Sequence, residues 1–168
     1  FACPAVYAQF SPVVNLNSGA GFISIQAAID SASSGDTLDL AAVSFSESLK
    51  VDRPITILGS SSGGTLLDIR GIGGYGIQLD ADNIDIENLI ILSNGDHTEY
   101  AIHSEPGISG LMLRDIRVIG NGRTGIDLNG LDPDEINVIE GCEVVKCGTG
   151  CGLALSGCQN VQIKDFLS

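Results

Sequence analysis

Four stretches of this chain repeat one another, and that recurrence limits its fold more than any single motif does. They are YGIQLDADNIDIENLIILSNG from Tyr75, YAIHSEPGISGLMLRDIRVIGNG from Tyr100, TGIDLNGLDPDEINVIEGCEVVKCG from Thr124 and CGLALSGCQNVQIKDF from Cys151. Each opens with a small residue (Gly76, Ala101, Gly125, Gly152) and then an apolar one (Ile77, Ile102, Ile126, Leu153). Those apolar positions are 25, 24 and 27 residues apart. A second apolar run begins near Ile84, Leu111, Ile136 and Val161. Two units close on Asn-Gly, at Asn94 and Asn121, and the third closes on Cys147-Gly148. Within the runs apolar residues alternate, as in Ile77/Leu79, Ile84/Ile86, Leu111/Leu113 and Ile126/Leu128, which is the period of strands with one buried face.

A unit this short, holding two or three strands, cannot bury its own apolar face, but stacked units can. Leucine-rich repeats share the length, yet their regular Leu/Asn consensus is absent. The expected fold is therefore all-β, a right-handed parallel β-helix. Composition agrees: 22 glycines, no tryptophan and scattered Ile, Leu and Val favour many short strands broken by turns. Before the coils, ISIQAAIDSASSGDTL carries Ile25, Ala28, Ile29 and Ala32 at helical spacing, with Gly35-Asp36 as a stop. This predicts a helix over 22–34 that caps the first coil, with coils over 35–168. The opening FACPAVYAQF resembles the end of a secretory signal, with Val6 and Ala8 ahead of a cut. Residues 1–8 are then a signal remnant and 9–168 one exported domain; the alternative is an ordinary apolar strand. The final VQIKDFLS reads as a strand without a closing cap, so further coils are expected beyond Ser168.

FISIQAAIDSASSGDTLDLAAVSFSESLKVDRPITILG, residues 22–59, resembles the N-terminal signature of the pectate-lyase-like superfamily. It is similar in particular to periplasmic and secreted β-helix repeat proteins of the copper-maturation accessory type. Ile25 to Ile29, Gly35 to Thr37, Glu47 and Pro54 to Gly59 match, while Phe45 stands where that pattern has Tyr. The resemblance implies a β-helix but no one activity, since the superfamily holds lyases, hydrolases, esterases, epimerases and non-enzymatic surface proteins. Function has to come from a site.

Charge removes some classes. With 8 Lys+Arg against 21 Asp+Glu, net −13, the chain repels phosphate backbones, and no nucleic-acid partner is expected. Anionic polysaccharides are repelled too, unless a divalent cation bridges. No apolar run approaches the ~18 residues of a membrane span.

Aligning the repeats brings His103 beside Gln78, Asp127 and Ala154, all facing outward. His103 and Asp127 are the candidate catalytic pair, because a carboxylate that orients an imidazole suits proton transfer. The alternative is an ordinary surface pair. Glu87, Arg114, Glu140 and Lys164 form a second column that alternates in sign, a register device. The inter-strand loops are acidic: Asp80, Asp82 and Asp85, then Glu105, then Asp132, Asp134 and Glu135. Asp80, Asp82, Glu105, Asp132 and Asp134 are candidate Ca²⁺ ligands; the alternative is solvated turn residues. Asp132-Pro133 also resembles the Asp-Pro-His motif of β-helix mannuronan epimerases, but Asp134 stands in the His place, so the proton-transfer residue is missing. Cys142, Cys147, Cys151 and Cys158 lack zinc spacing and read as small buried rungs, with a Cys147–Cys151 disulfide as the alternative. His97 reads as a solvated loop residue.

Two functions follow. The first is an exported binding or scaffold module, directed to polysaccharide or cell-surface glycan. The second is a polysaccharide lyase, epimerase or hydrolase working in a groove along the coils. Exposed aromatics with basic residues would favour the enzyme; here Tyr75 and Tyr100 align, but Lys and Arg are sparse.

Overall fold

The computed structural model describes residues 10–94, 98–120, 123–146 and 150–168. Cys3, Val6, Ala8, His97 and Cys147 lie outside them, and with them the signal remnant and the Cys147–Cys151 pairing. The described chain is a parallel β-solenoid preceded by one short helix.

Every coil contributes to two sheets. A five-stranded sheet runs β5 (Leu49–Val51), β8 (Gly74–Leu79), β10 (Thr98–Ser104), β12 (Thr124–Asn129) and β15 (Leu153–Ser156), all parallel. The larger sheet is built on β3 (Thr37–Leu40), β6 (Thr56–Leu58), β9 (Asp85–Leu92), β11 (Met112–Ile119), β13 (Asn137–Glu140) and β16 (Val161–Lys164). At its start β1 (Val13–Asn15) pairs antiparallel with both β3 and β2 (Gly21–Phe22).

In three successive coils the larger sheet bends at a single left-handed residue. The first half of β9 pairs with β6, but its second half pairs with β7 (Leu66–Asp68), which follows β4 (Ser44–Phe45). Between the halves Asn88 has φ 58°. In the next coil β11 bends at Asp115 (φ 50°), and in the one after, Gly141 (φ 63°) separates β13 from β14 (Glu143–Val145). Asn and Asp tolerate this left-handed conformation better than other side chains. The corner shifts the inward alternation by one residue, so Ile86 and Leu89 are both buried. Beside it, a Cβ on Gly59 would collide with the carbonyl oxygen of Asn88.

The interior is a continuous column of Ile, Leu and Val from successive coils, including Ile57, Leu67, Ile77, Ile86, Ile102 and Ile126. Buried Asn137 accepts from the Leu111 N–H (3.1 Å) and donates to the carbonyls of Asp132 and Gln159.

The helix, α1 (Ile25–Ser31), is shorter than the 22–34 expected, because Gly21–Phe22 is drawn into β2 and Ala32 is already extended. Ile25, Ala28 and Ile29 are fully buried over the first coil. Ser24 caps the helix by accepting from the Ala27 N–H. Glu47, from the first coil, accepts from the Ser24 hydroxyl (2.8 Å) and from the N–H groups of Ile25 (2.8 Å) and Gln26 (3.0 Å). At the other end Arg53 donates to the carbonyls of Ala32 (2.8 Å) and Asp30 (3.2 Å). Gln26 uses its amide as a substitute strand, accepting from the Lys50 N–H and donating to the Lys50 carbonyl. It thereby occupies backbone groups of edge strand β5 that would otherwise be open to another chain.

Because Glu47 satisfies two otherwise orphaned helix donors, Glu47→Ala should cost about 1–2 kcal/mol in urea unfolding. An unchanged midpoint would mean that the helix is held by its buried face alone.

Candidate functional site

The outward side of the five-stranded sheet carries the residues that the repeats bring together. His103 pairs in register with Gln78 on one side and Asp127 on the other, and Asp127 pairs with Ala154, as the alignment of repeats requires. The His103 Nδ1 lies 2.9 Å from Asp127 Oδ2. A carboxylate can only accept, so Nδ1 carries the proton and Nε2 keeps its lone pair when the ring is neutral. The same Asp127 oxygen accepts from the Asn129 side-chain amide at 2.8 Å, which fixes it further.

Three rings crowd this spot. Tyr75 and Tyr100 are register partners, with centroids 5.7 Å apart. His103 stacks on Tyr75 at 4.2 Å and on Tyr100 at 5.3 Å, with planes inclined by 22° and 21°. The Arg123 guanidinium lies over the Tyr100 ring, 5.3 Å from its centroid. Both tyrosines are half-buried. Burial, joined by the nearby charges of Glu99 and Glu105, pushes the Tyr75 phenol above its usual value, so it remains a protonated hydroxyl. The side chains of His103 and Asp127 are each only 13% exposed. The aromatic strip was only half legible: Tyr75 and Tyr100 align, but two residues lie between Tyr100 and His103, and alignment by rung does not reveal that stack.

The acidic loop residues find separate partners. Asp80 pairs with Lys50 (2.9 Å), and Asp82 accepts from the Ser109 N–H (2.8 Å). Glu105 accepts from Gln78 (2.8 Å), and Asp132 accepts from the Asp134 N–H (3.2 Å), an Asx turn. Among the described residues no three His, Cys, Asp or Glu side chains are grouped as a metal would need.

The alternating column Glu87–Arg114–Glu140–Lys164 is in register. Arg114 leans toward the preceding coil, pairing with Glu87 and, at 3.3 Å, with Asp85. Arg117 and Glu143, also register partners, pair at 2.7 Å. Nearby, Asp39, Gly59, Ser60, Glu87 and Asn88 line a groove of about 380 Å³ beside the sheet corner. Cys142 is buried and directs its thiol toward the Leu113 carbonyl, and burial raises its pKa. Cys158 does the same toward Leu128, while Cys151 is exposed; the three form no disulfide with one another.

Comparison with known proteins now bears on the fold. The family profile described as the right-handed beta helix region matches residues 54–165, two thirds of the chain. The chain belongs to the right-handed β-helix family. No curated protein and no solved structure matches it. Family membership explains the solenoid and the in-register columns of this β-helix; the chemistry rests on the side chains themselves.

Two outcomes follow. Ring ¹⁵N shifts of His103 should report the Nδ1–H tautomer, and a dominant Nε2–H form would break the Asp127 assignment. Asp85 has a buried, unpartnered Oδ1, and burial raises its pKa more than Arg114 lowers it. Folding therefore favours its neutral form, a contribution present below the ordinary aspartate value of ~3.9 and lost as pH rises through the elevated one. The melting-temperature difference between wild type and Asp85→Asn should thus move in the variant's favour as pH rises across that window. A pH-independent difference would contradict this.

Proposed function

We propose that this β-helix is an exported, non-catalytic module that binds glycan chains along the outer face of its five-stranded sheet. The single observation that carries the reading is the strip of Tyr75, His103 and Tyr100. Sugar rings pack their C–H faces on aromatic rings while their hydroxyls need donors and acceptors close by, and Tyr supplies both. Around the strip, Gln78, Glu105 and Asn129 offer amide and carboxylate groups held by one another or by Asp127. A regular solenoid face also suits an extended polymer, because successive coils repeat at ~4.8 Å. Export is supported by the N-terminal FACPAVYAQF and by the likeness of residues 22–59 to secreted and periplasmic proteins.

The catalytic reading has one specific observation in its favour. With Nδ1 bound to Asp127, His103 keeps Nε2 as a base. Its slight exposure weighs against it.

The test is binding of neutral and charged oligosaccharides by calorimetry, with Tyr75→Ala/Tyr100→Ala as the variant. Affinity should fall about tenfold or more, equivalent to ~1.4 kcal/mol, with both proteins still cooperatively folded. Undiminished binding would overturn the assignment. New reducing or unsaturated ends appearing in the same mixtures, and lost in His103→Ala, would move it to the enzyme.

A further inference from the structure

The charge around the aromatic strip narrows the ligand class, an inference that rests on the glycan reading above. Carboxylates dominate the surroundings. Asp127 lies against His103, Glu105 is held by Gln78 in the adjacent register position, and Glu99 stands exposed next to Tyr100 in β10. Glu99, Glu105 and Asp127 all lie near enough to Tyr75 to act on its hydroxyl. The cations on this face are already engaged: Lys50 pairs with Asp80, and Arg123 lies over Tyr100. Arg123 is also informative as a stand-in. An exposed guanidinium lies over a tyrosine ring, which is the position a ligand ammonium would take up. The net charge of −13 attracts a cationic polymer over a longer range and repels a uronate.

We propose that the Tyr75–His103–Tyr100 surface selects glycans bearing protonated amino groups, that is, polymers of deacetylated amino sugars, over their acetylated and uronic counterparts. The sugar rings lie on the aromatic strip, and their ammonium groups meet Glu99, Glu105 and the tyrosine faces. Acetylation would remove the charge and leave the ring contact, and a uronate would bring its carboxylate against three others.

The experiment uses three hexamers: glucosamine, N-acetylglucosamine and galacturonate, titrated at mildly acidic pH. The glucosamine hexamer should bind about tenfold more tightly than the acetylated one, with the uronate weakest. Raising salt to about 0.5 M should shrink that advantage, because exposed charges are screened. Glu99→Gln/Glu105→Gln should bring the amine down to the acetylated level, and Tyr75→Ala/Tyr100→Ala should weaken both. Equal or tighter binding of the acetylated or uronic hexamer overturns this inference while leaving glycan binding intact. An amine preference that survives undiminished in Glu99→Gln/Glu105→Gln also overturns it, since net charge alone would then explain it. If none of the three binds, the glycan reading itself falls, and this inference with it.

Discussion

Everything in this molecule depends on the backbone hydrogen bonds that tie each coil to the next in parallel register. No coil has an apolar face it can bury alone, so the core exists only because Ile77, Ile102, Ile126 and their counterparts stack into one column. A slip of one residue would turn every inward side chain out. Several devices guard against that slip. The left-handed corner recurs in three successive coils, at Asn88, Asp115 and Gly141, and Arg114 and Arg117 pair across neighbouring coils. At the first coil the exposed ladder is closed by Gln26, with Glu47 and Arg53 fixing the two ends of the helix that carries it.

The same register manufactures the candidate site. Residues about one repeat apart become neighbours, so an isolated Tyr75, His103 and Asp127 turn into one patch without any local motif. Specificity then falls to the outward columns, where substitution costs the core little. One column carries alternating charge and holds register; the other carries rings and hydrogen-bonding groups.

Much of this was legible in the chain. Period-two alternation and the repeat spacing place Ile77, Ile102 and Ile126 inward, and hence Gln78, His103 and Asp127 outward and adjacent. The bend of the larger sheet was harder to read, although its trace is present. Apolar spacing changes from two to three between Ile86 and Leu89 and between Leu113 and Ile116, each time across an Asn or Asp. Periodicity describes a flat strand and has no term for a single left-handed residue. The acidic loops were legible as residues, but not the partner each takes: Asp82 accepts from Ser109, Asp132 accepts from Asp134, and Asp80 pairs with Lys50. The helix was overextended at both ends for a similar reason, since Phe22 fits the helical pattern yet pairs as a strand.

The most direct test of the proposed glycan-binding face is an amide and aromatic NMR titration with an oligosaccharide, mapped onto the coils. The account predicts perturbations concentrated at Tyr75–Gln78, Glu99–Glu105 and Arg123–Asn129, one strip crossing three coils of the five-stranded sheet. Perturbations concentrated instead around Asp39, Gly59 and Asn88, or spread without regard to register, would contradict it.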